Sequence, residues 1–160
     1  MSSSSDARRD RPDVVAPPPF IFLGAVAVGL LFQALLPARL FGNAVPARMF
    51  GGVLVLVGLT LSTLVVRYFR RAGTPVSPRY ASRQLVASGP YRFSRNPDYV
   101  GQALTVVGLA LLFDIPWVLI AIVPAWLLVR YGVVAREEEY LQALFGEEYA
   151  RYRRRVRRWL

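Results

Sequence analysis

Twenty arginines, ten carboxylates and eight tyrosines, with a few Asn, Gln, Ser and Thr, supply the polar chemistry of this 160-residue chain, which has no Cys, no His and no Lys. Thiolate nucleophiles, Ser-His-Asp triads, imidazole metal ligands and the lysines of Schiff bases and phosphate loops are therefore excluded. No spacing of Asp and Glu suggests a carboxylate-only metal site. The residues able to act together fall in two clusters, 88–101 (SGPYRFSRNPDYVG) and 136–152 (REEEYLQALFGEEYARY).

In the first cluster Gly89-Pro90 and Asn96-Pro97 are turn signals, and Pro97 suits the first position of a helix. A helix start presents unpaired amide donors and the positive end of the dipole, which favour an anionic group, and Arg95 adds a forked carboxylate-binding donor there. Arg92 and Arg95 equally fit a topological role as membrane-flanking cations, with Tyr91 and Tyr99 in the aromatic belt. In the second cluster Glu137, Glu138 and Glu139 are consecutive. Neighbouring carboxylates on a helix point about 100° apart, so at most two can face one site. A carboxylate there suits an ammonium group or a ribose diol, while Glu139, Glu147 and Glu148 read as solvated helix surface.

The elements that must position these clusters are hydrophobic. Apolar residues form 54% of a chain whose formal net charge is +10, a combination that fits a membrane protein with basic flanks. Residues 1–19 are polar and then proline-rich and read as a disordered arm, without the cleavage site of a secretory signal peptide. Residues 20–36 and 50–66 are two apolar runs long enough to cross a bilayer, the first spanning roughly 25 Å. Gly51, Gly52 and Gly58 offer a neighbouring helix close approach. After a long polar segment, 67–97, a third apolar stretch breaks at Asp114-Ile115-Pro116 into two arms of roughly 22 Å each, read as a helical hairpin with its tip at Asp114. The expected fold is therefore an all-α integral membrane protein of about four transmembrane helices. The last two form the hairpin, and a C-terminal amphipathic interfacial helix follows, with Tyr149, Tyr152, Val156 and Trp159 at helical spacing and Trp159 as anchor. The basic tail could also bind nucleic acid, but its apolar spacing and the preceding spans favour lipid, so a nucleic-acid partner is not expected.

Every arginine except Arg39 and Arg48 lies in the arm, the long polar segment or the region after residue 129. The positive-inside rule therefore places both termini and both clusters on the cytoplasmic side of a multi-pass cell-membrane protein. Because each cluster borders the hairpin, its antiparallel arms bring the two together.

The string GPYRFSRNPDYVG, followed after the hairpin by REEEYLQALFGEEYARYRRRVRRW, resembles the isoprenylcysteine carboxyl methyltransferase family and its phospholipid methyltransferase relatives. The shared pattern is G-P-Y-R, then R-(H/N)-P-x-Y-x-G, then E-E-x-x-L with F-G-x-x-Y-x-x-Y, and it covers the chain from Val76 onward. The resemblance implies an integral membrane enzyme using S-adenosylmethionine, bound in a pocket of the 67–160 half that opens to the cytosol, within a single 20–160 domain whose first part, 20–66, is two spans. Arg95, Asn96, Pro97, Tyr99 and Gly101 would form one wall of that pocket, and Glu137 and Glu138 another. Gly89, Pro90, Tyr91 and Arg92 would support the loop, with Tyr91 counted among the cofactor-binding residues and Arg95 and Glu138 as the catalytic pair. Best-known family members carry His where this chain has Asn96, which can donate or accept a hydrogen bond but cannot act as a base near neutral pH.

Methyl transfer from a sulfonium needs proximity, orientation and desolvation more than acid or base catalysis, so a protein without His, Cys or Lys can perform it. The expected acceptor is a lipophilic small molecule reached from the bilayer. Two other readings use the same residues: a small membrane scaffold with a lipid-binding tail, and a nicotinamide-dependent membrane reductase. The reductase is disfavoured by the lack of a glycine-rich dinucleotide fingerprint.

Overall fold

The structure is a computed structural model that describes residues 14–42, 44–71, 85 and 87–160, and every regular element among them is helical. Helix α1 spans Pro18–Leu35, α2 Val45–Arg71, α3 Pro97–Phe113, α4 Pro116–Leu128 and α5 Ala135–Arg155. A π-helical segment, Val129–Val134, joins α4 to α5 without a loop, and a short 3-10 turn, Gly89–Arg92, precedes α3. The first four helices start on a proline or one residue before one: Pro18, Pro46, Pro97 and Pro116. The fixed φ suits a first helical turn, and the missing amide costs nothing there.

Among the described residues three helices are long and apolar enough to cross a membrane: Pro18–Leu35, Val45–Arg71 and the continuous Pro116–Arg155, with Pro97–Phe113 a shorter apolar helix beside them. Their outer faces expose Phe20, Leu23, Leu31 and Leu35 on α1 and Met49, Val53, Leu56 and Val57 on α2. Contiguous apolar surface of this extent is costly in water and neutral in lipid, which marks a membrane protein.

Helix α2 packs along α3 and α1 along α4, and α3 and α4 form the hairpin. Lipid supplies no hydrophobic drive between helices, so association rests on close packing. Along the antiparallel α2–α3 contact Gly51 meets Gly108 and Gly58 meets Gly101, with a seven-residue spacing on each helix. A Cβ at Gly108 would sit 2.7 Å from the Gly51 carbonyl oxygen, and one at Gly101 would sit 2.9 Å from that of Gly58. A Cβ at Gly52, which the sequence also offers for close approach, would meet nothing from a neighbouring helix within 4 Å.

At the hairpin tip Asp114 adopts a left-handed conformation (φ 54°, ψ 57°), which Asp tolerates better than most residues. Its carboxylate accepts hydrogen bonds from the backbone amides of Leu40 (3.0 Å), Phe41 (3.2 Å) and Gly42 (2.8 Å), tying the α1–α2 connection to the tip. These amides, opposed in part by desolvation, hold the carboxyl below its ordinary value of 3.8. The stabilisation is therefore complete above the ordinary carboxylate range and is lost as the pH falls through the lowered folded-state value. Thermal melts of Asp114→Asn in micelles should fall below the wild type at pH 7 and converge with it toward pH 3; a gap independent of pH would contradict the clamp.

The structure corrects three expectations. Residues 14–19 of the arm are ordered: helix α1 begins at Pro18, and Val15 N donates to the Gly132 carbonyl of the π-helical segment (3.3 Å), while residues 1–13 lie outside the described residues. Helix α2 runs to Arg71, five residues beyond the apolar run, and most of the polar segment after it, 72–84 and 86, lies outside the described residues. The tail is not one interfacial helix. It kinks at Gly146 (φ 49°, ψ −121°), stops at Arg155 and turns extended at Val156. Tyr149 and Tyr152, expected to face lipid, are 1% and 4% exposed against protein, and Trp159 packs on Trp126 with ring centroids 4.3 Å apart. The two tyrosines are taken by the loop before α3, and Trp159 is partly buried against α4, so protein covers most of the aromatic stripe.

Candidate active site

The loop that carries the first cluster is built on α2. Gly89 has φ +58°, and a Cβ there would collide with the ring of Tyr68, so only glycine lets the 3-10 turn rest on that ring. Tyr91 packs edge-on against Phe69 at 5.5 Å, and its carbonyl accepts the Tyr152 hydroxyl of α5 at 2.8 Å. Burial, with the carboxylates of Asp98 and Glu137 nearby, pushes the Tyr91 hydroxyl well above its usual range, so it keeps its proton at any working pH. Arg92 and Phe93 point outward.

Ser94 and Asn96, both buried, close the loop onto α3. The Ser94 hydroxyl accepts the Asn96 amide at 3.1 Å, and Pro97 opens the helix. Asn96 does not cap α3 with its side chain; its Nδ2 donates instead to the Arg158 carbonyl at 2.9 Å. Two residues into the helix, Tyr99 donates its hydroxyl to Glu137 Oε1 at 2.7 Å, a direct side-chain link between the two sequence clusters. Asp98 accepts Gln102 Nε2 at 2.7 Å and a hydrogen bond from Ser62 of α2.

The second half of the site is an arginine-glutamate-arginine cluster. Glu138 is buried, and Arg158 forks over it with Nη2 2.6 Å from Oε2 and Nε 3.1 Å from Oε1. That pairing raises the Arg158 guanidinium further above its already high value. From the other side Arg95 Nη1 lies 3.1 Å from Glu138 Oε1, within ion-pair distance. The Arg95 side chain is 10% exposed, it hydrogen-bonds the Tyr149 hydroxyl, and its Nε and Nη1 have no hydrogen-bond partner. Buried donors without acceptors cost free energy that a ligand acceptor would recover.

The site therefore has two poles. Arg95, Glu138 and Arg158 sum to one positive charge with spare donors. Asp98 and Glu137 are mutually repelling carboxylates, hydrogen-bonded by neutral Ser62, Gln102 and Tyr99. Of the residues singled out in the sequence, Arg95, Asn96, Tyr99, Glu137 and Glu138 converge here, with Tyr91 and Pro97 framing them. Gly101 faces the other way, into α2, where it meets Gly58 and Ser62. Glu139, Glu147 and Glu148 are exposed, as a solvated helix surface requires. Two site residues carry no signal of their own in the sequence: Asp98, inside the first motif, and Arg158, one of the many arginines of the tail.

Fold and site together define a small helical membrane protein with a charged, tyrosine-lined site at the open end of a helical hairpin. The sequence profile of the phospholipid methyltransferase family matches residues 46–148, and the chain belongs to that family, one of membrane methyltransferases. It is also similar to an uncharacterized protein of Haemophilus influenzae, 53% identical over 34 residues. That stretch is 21% of this chain and 54% of the relative, so the chain spans about half of the relative's length. No solved structure matches the chain at a significant level.

Proposed function

We propose that the protein is an S-adenosylmethionine-dependent methyltransferase of the cell membrane, crossing it four times with both termini cytoplasmic and acting on a lipid-like or isoprenoid acceptor at the cytoplasmic face. The observation that carries this reading is the bipolar site. The cofactor is a zwitterionic amino acid bearing a sulfonium, so it needs an anion-binding pole and a cation-binding pole close together. Arg95 supplies the first through two buried donors that make no hydrogen bond, and Asp98 and Glu137 supply the second. When bound, the cofactor supplies a methyl group already activated for displacement.

The chain's own residues have three tasks. Arg95 and Glu137 orient what they hold. The Tyr91 and Tyr99 rings offer faces to a cation. The surrounding helices exclude water from the reacting end, which strengthens each polar contact. Arg39 and Arg48 fall at the opposite end of the bundle, with Asp114, which supports placing the site on the arginine-rich, cytoplasmic side.

Asn96 bears on the acceptor side of this reading. It uses its amide to hold a backbone carbonyl, a task that an imidazole N–H also performs. Asn96→His should therefore keep activity within a few-fold, while Asn96→Asp, which sets a carboxylate against the Arg158 carbonyl, should lose about ten-fold or more. Initial rates and melting temperatures of the two variants check this; equal rates for both would show that the hydrogen bond is dispensable. The reading as a whole is tested by calorimetric titration of the purified protein with S-adenosylhomocysteine. Saturable binding is expected, and no binding to a protein shown to be folded would overturn the proposal.

A further inference from the structure

The last five residues lie beyond the stretch matched to the family and leave helical geometry at Val156 (φ −121°, ψ 132°), yet both halves of the site are fastened to them. Arg95 N donates to the Arg157 carbonyl at 2.9 Å, and Asn96 Nδ2 and Ser94 Oγ donate to the Arg158 carbonyl at 2.9 and 3.4 Å. The Arg158 side chain takes Glu138 with a two-point fork. Trp159, packed against Trp126, anchors the segment. One dipeptide thus holds the loop before α3 by its carbonyls and α5 by a guanidinium.

The consequence for Arg95 is electrostatic. Each carboxylate oxygen of Glu138 accepts a hydrogen bond from Arg158, which holds the carboxylate turned toward that guanidinium. Arg95 Nη1 keeps only an ion-pair contact with Oε1 at 3.1 Å, and neither Nη1 nor Nε makes a hydrogen bond although the side chain is nine-tenths buried. If Arg158 were absent, Glu138 would be free to turn both oxygens toward Arg95, and a bidentate pair between the two would engage those donors.

We infer that Arg158 is a positioning residue that keeps Arg95 available for a ligand carboxylate by occupying Glu138, with residues 156–160 as the strap that sets it there. This rests on the methyltransferase reading and assigns the carboxylate end of the cofactor to Arg95. It makes a demand that a merely structural role does not: loss of Arg158 should weaken ligands that carry the amino-acid carboxylate and spare those that lack it.

The test is calorimetric titration of the full chain in micelles with two probes, S-adenosylhomocysteine and 5′-methylthioadenosine, which has the same nucleoside and no amino-acid moiety. For Arg158→Met, affinity for the first should fall about ten-fold or more, and affinity for the second should stay within two-fold. Arg158→Lys keeps the charge without the fork and should show the same selective loss at smaller size; it also serves if the Met variant melts below the assay temperature. Glu138→Gln placed in the Arg158→Met background removes the charge that captures Arg95 and should restore part of the lost affinity. Equal weakening of both probes, or no weakening of either, overturns the role of Arg158 while leaving the methyltransferase reading in place. A wild-type protein that is folded and binds neither probe overturns that reading itself, and this inference with it.

Discussion

Glu138→Ala should be the most damaging change in the site, lowering stability by about 3 kcal/mol and methyl transfer by at least about a hundred-fold. The carboxylate is buried between two guanidiniums, and removing it leaves the Arg95 and Arg158 charges facing each other with no counterion. Breaking a buried pair costs more than the pair itself contributes, because desolvated charge is left behind. Arg158 is about one-third exposed and can relax toward solvent, which moderates the figure; Arg95 cannot. Glu138→Gln keeps the shape and one acceptor and should fall between the wild type and Glu138→Ala in both melting temperature and rate. A Glu138→Ala protein that melts with the wild type would show that the cluster carries no net energy.

The second large effect separates fold from chemistry. Gly108→Leu should destabilise the α2–α3 pair by more than about 3 kcal/mol, because even its Cβ would sit 2.7 Å from the Gly51 carbonyl oxygen and 2.8 Å from the Val55 amide nitrogen, both of them backbone atoms. Gly52→Leu, one position from Gly51 and pointing into open space, should change stability by no more than about 0.5 kcal/mol. Denaturation of the two variants in matched micelles decides the matter. Equal stabilities would mean that close backbone approach does not hold these helices together.

The parts of the fold that were legible in the sequence are those set by local rules. Prolines at 18, 46, 97 and 116 mark helix starts, Asp114-Ile115-Pro116 marks the hairpin tip, and long apolar runs mark the helices. The convergence of the two motif clusters followed from antiparallel geometry, and the Tyr99–Glu137 hydrogen bond realises it. What the sequence hid depends on competition between partners. Tyr149, Tyr152 and Trp159 recur at helical spacing, a pattern that does not say whether lipid or protein takes the apolar face. Protein takes it, because the loop before α3 presents the Tyr91 carbonyl and Arg95, and α4 presents Trp126. Arg158 was indistinguishable from its neighbouring arginines until the chain turned extended at Val156. Gly101 belongs to the family motif, and only packing shows that its missing side chain makes room for Gly58 and Ser62.

The site then reads as a division of labour within a chain that has no imidazole, thiol or amine side chain. On the proposed reading, two carboxylates form a cation-binding pole, and one arginine, kept available by another, forms the anion-binding pole. The remaining polar contacts hold the loop and helix ends that carry them. The most direct measurement is incubation of membranes containing this protein with S-adenosylmethionine labelled in its methyl group, followed by extraction into organic solvent. The account predicts label in a lipid-soluble product with the wild type and none above background with a folded Arg95→Met variant. Label confined to the aqueous phase, or equal transfer by both proteins, would contradict it.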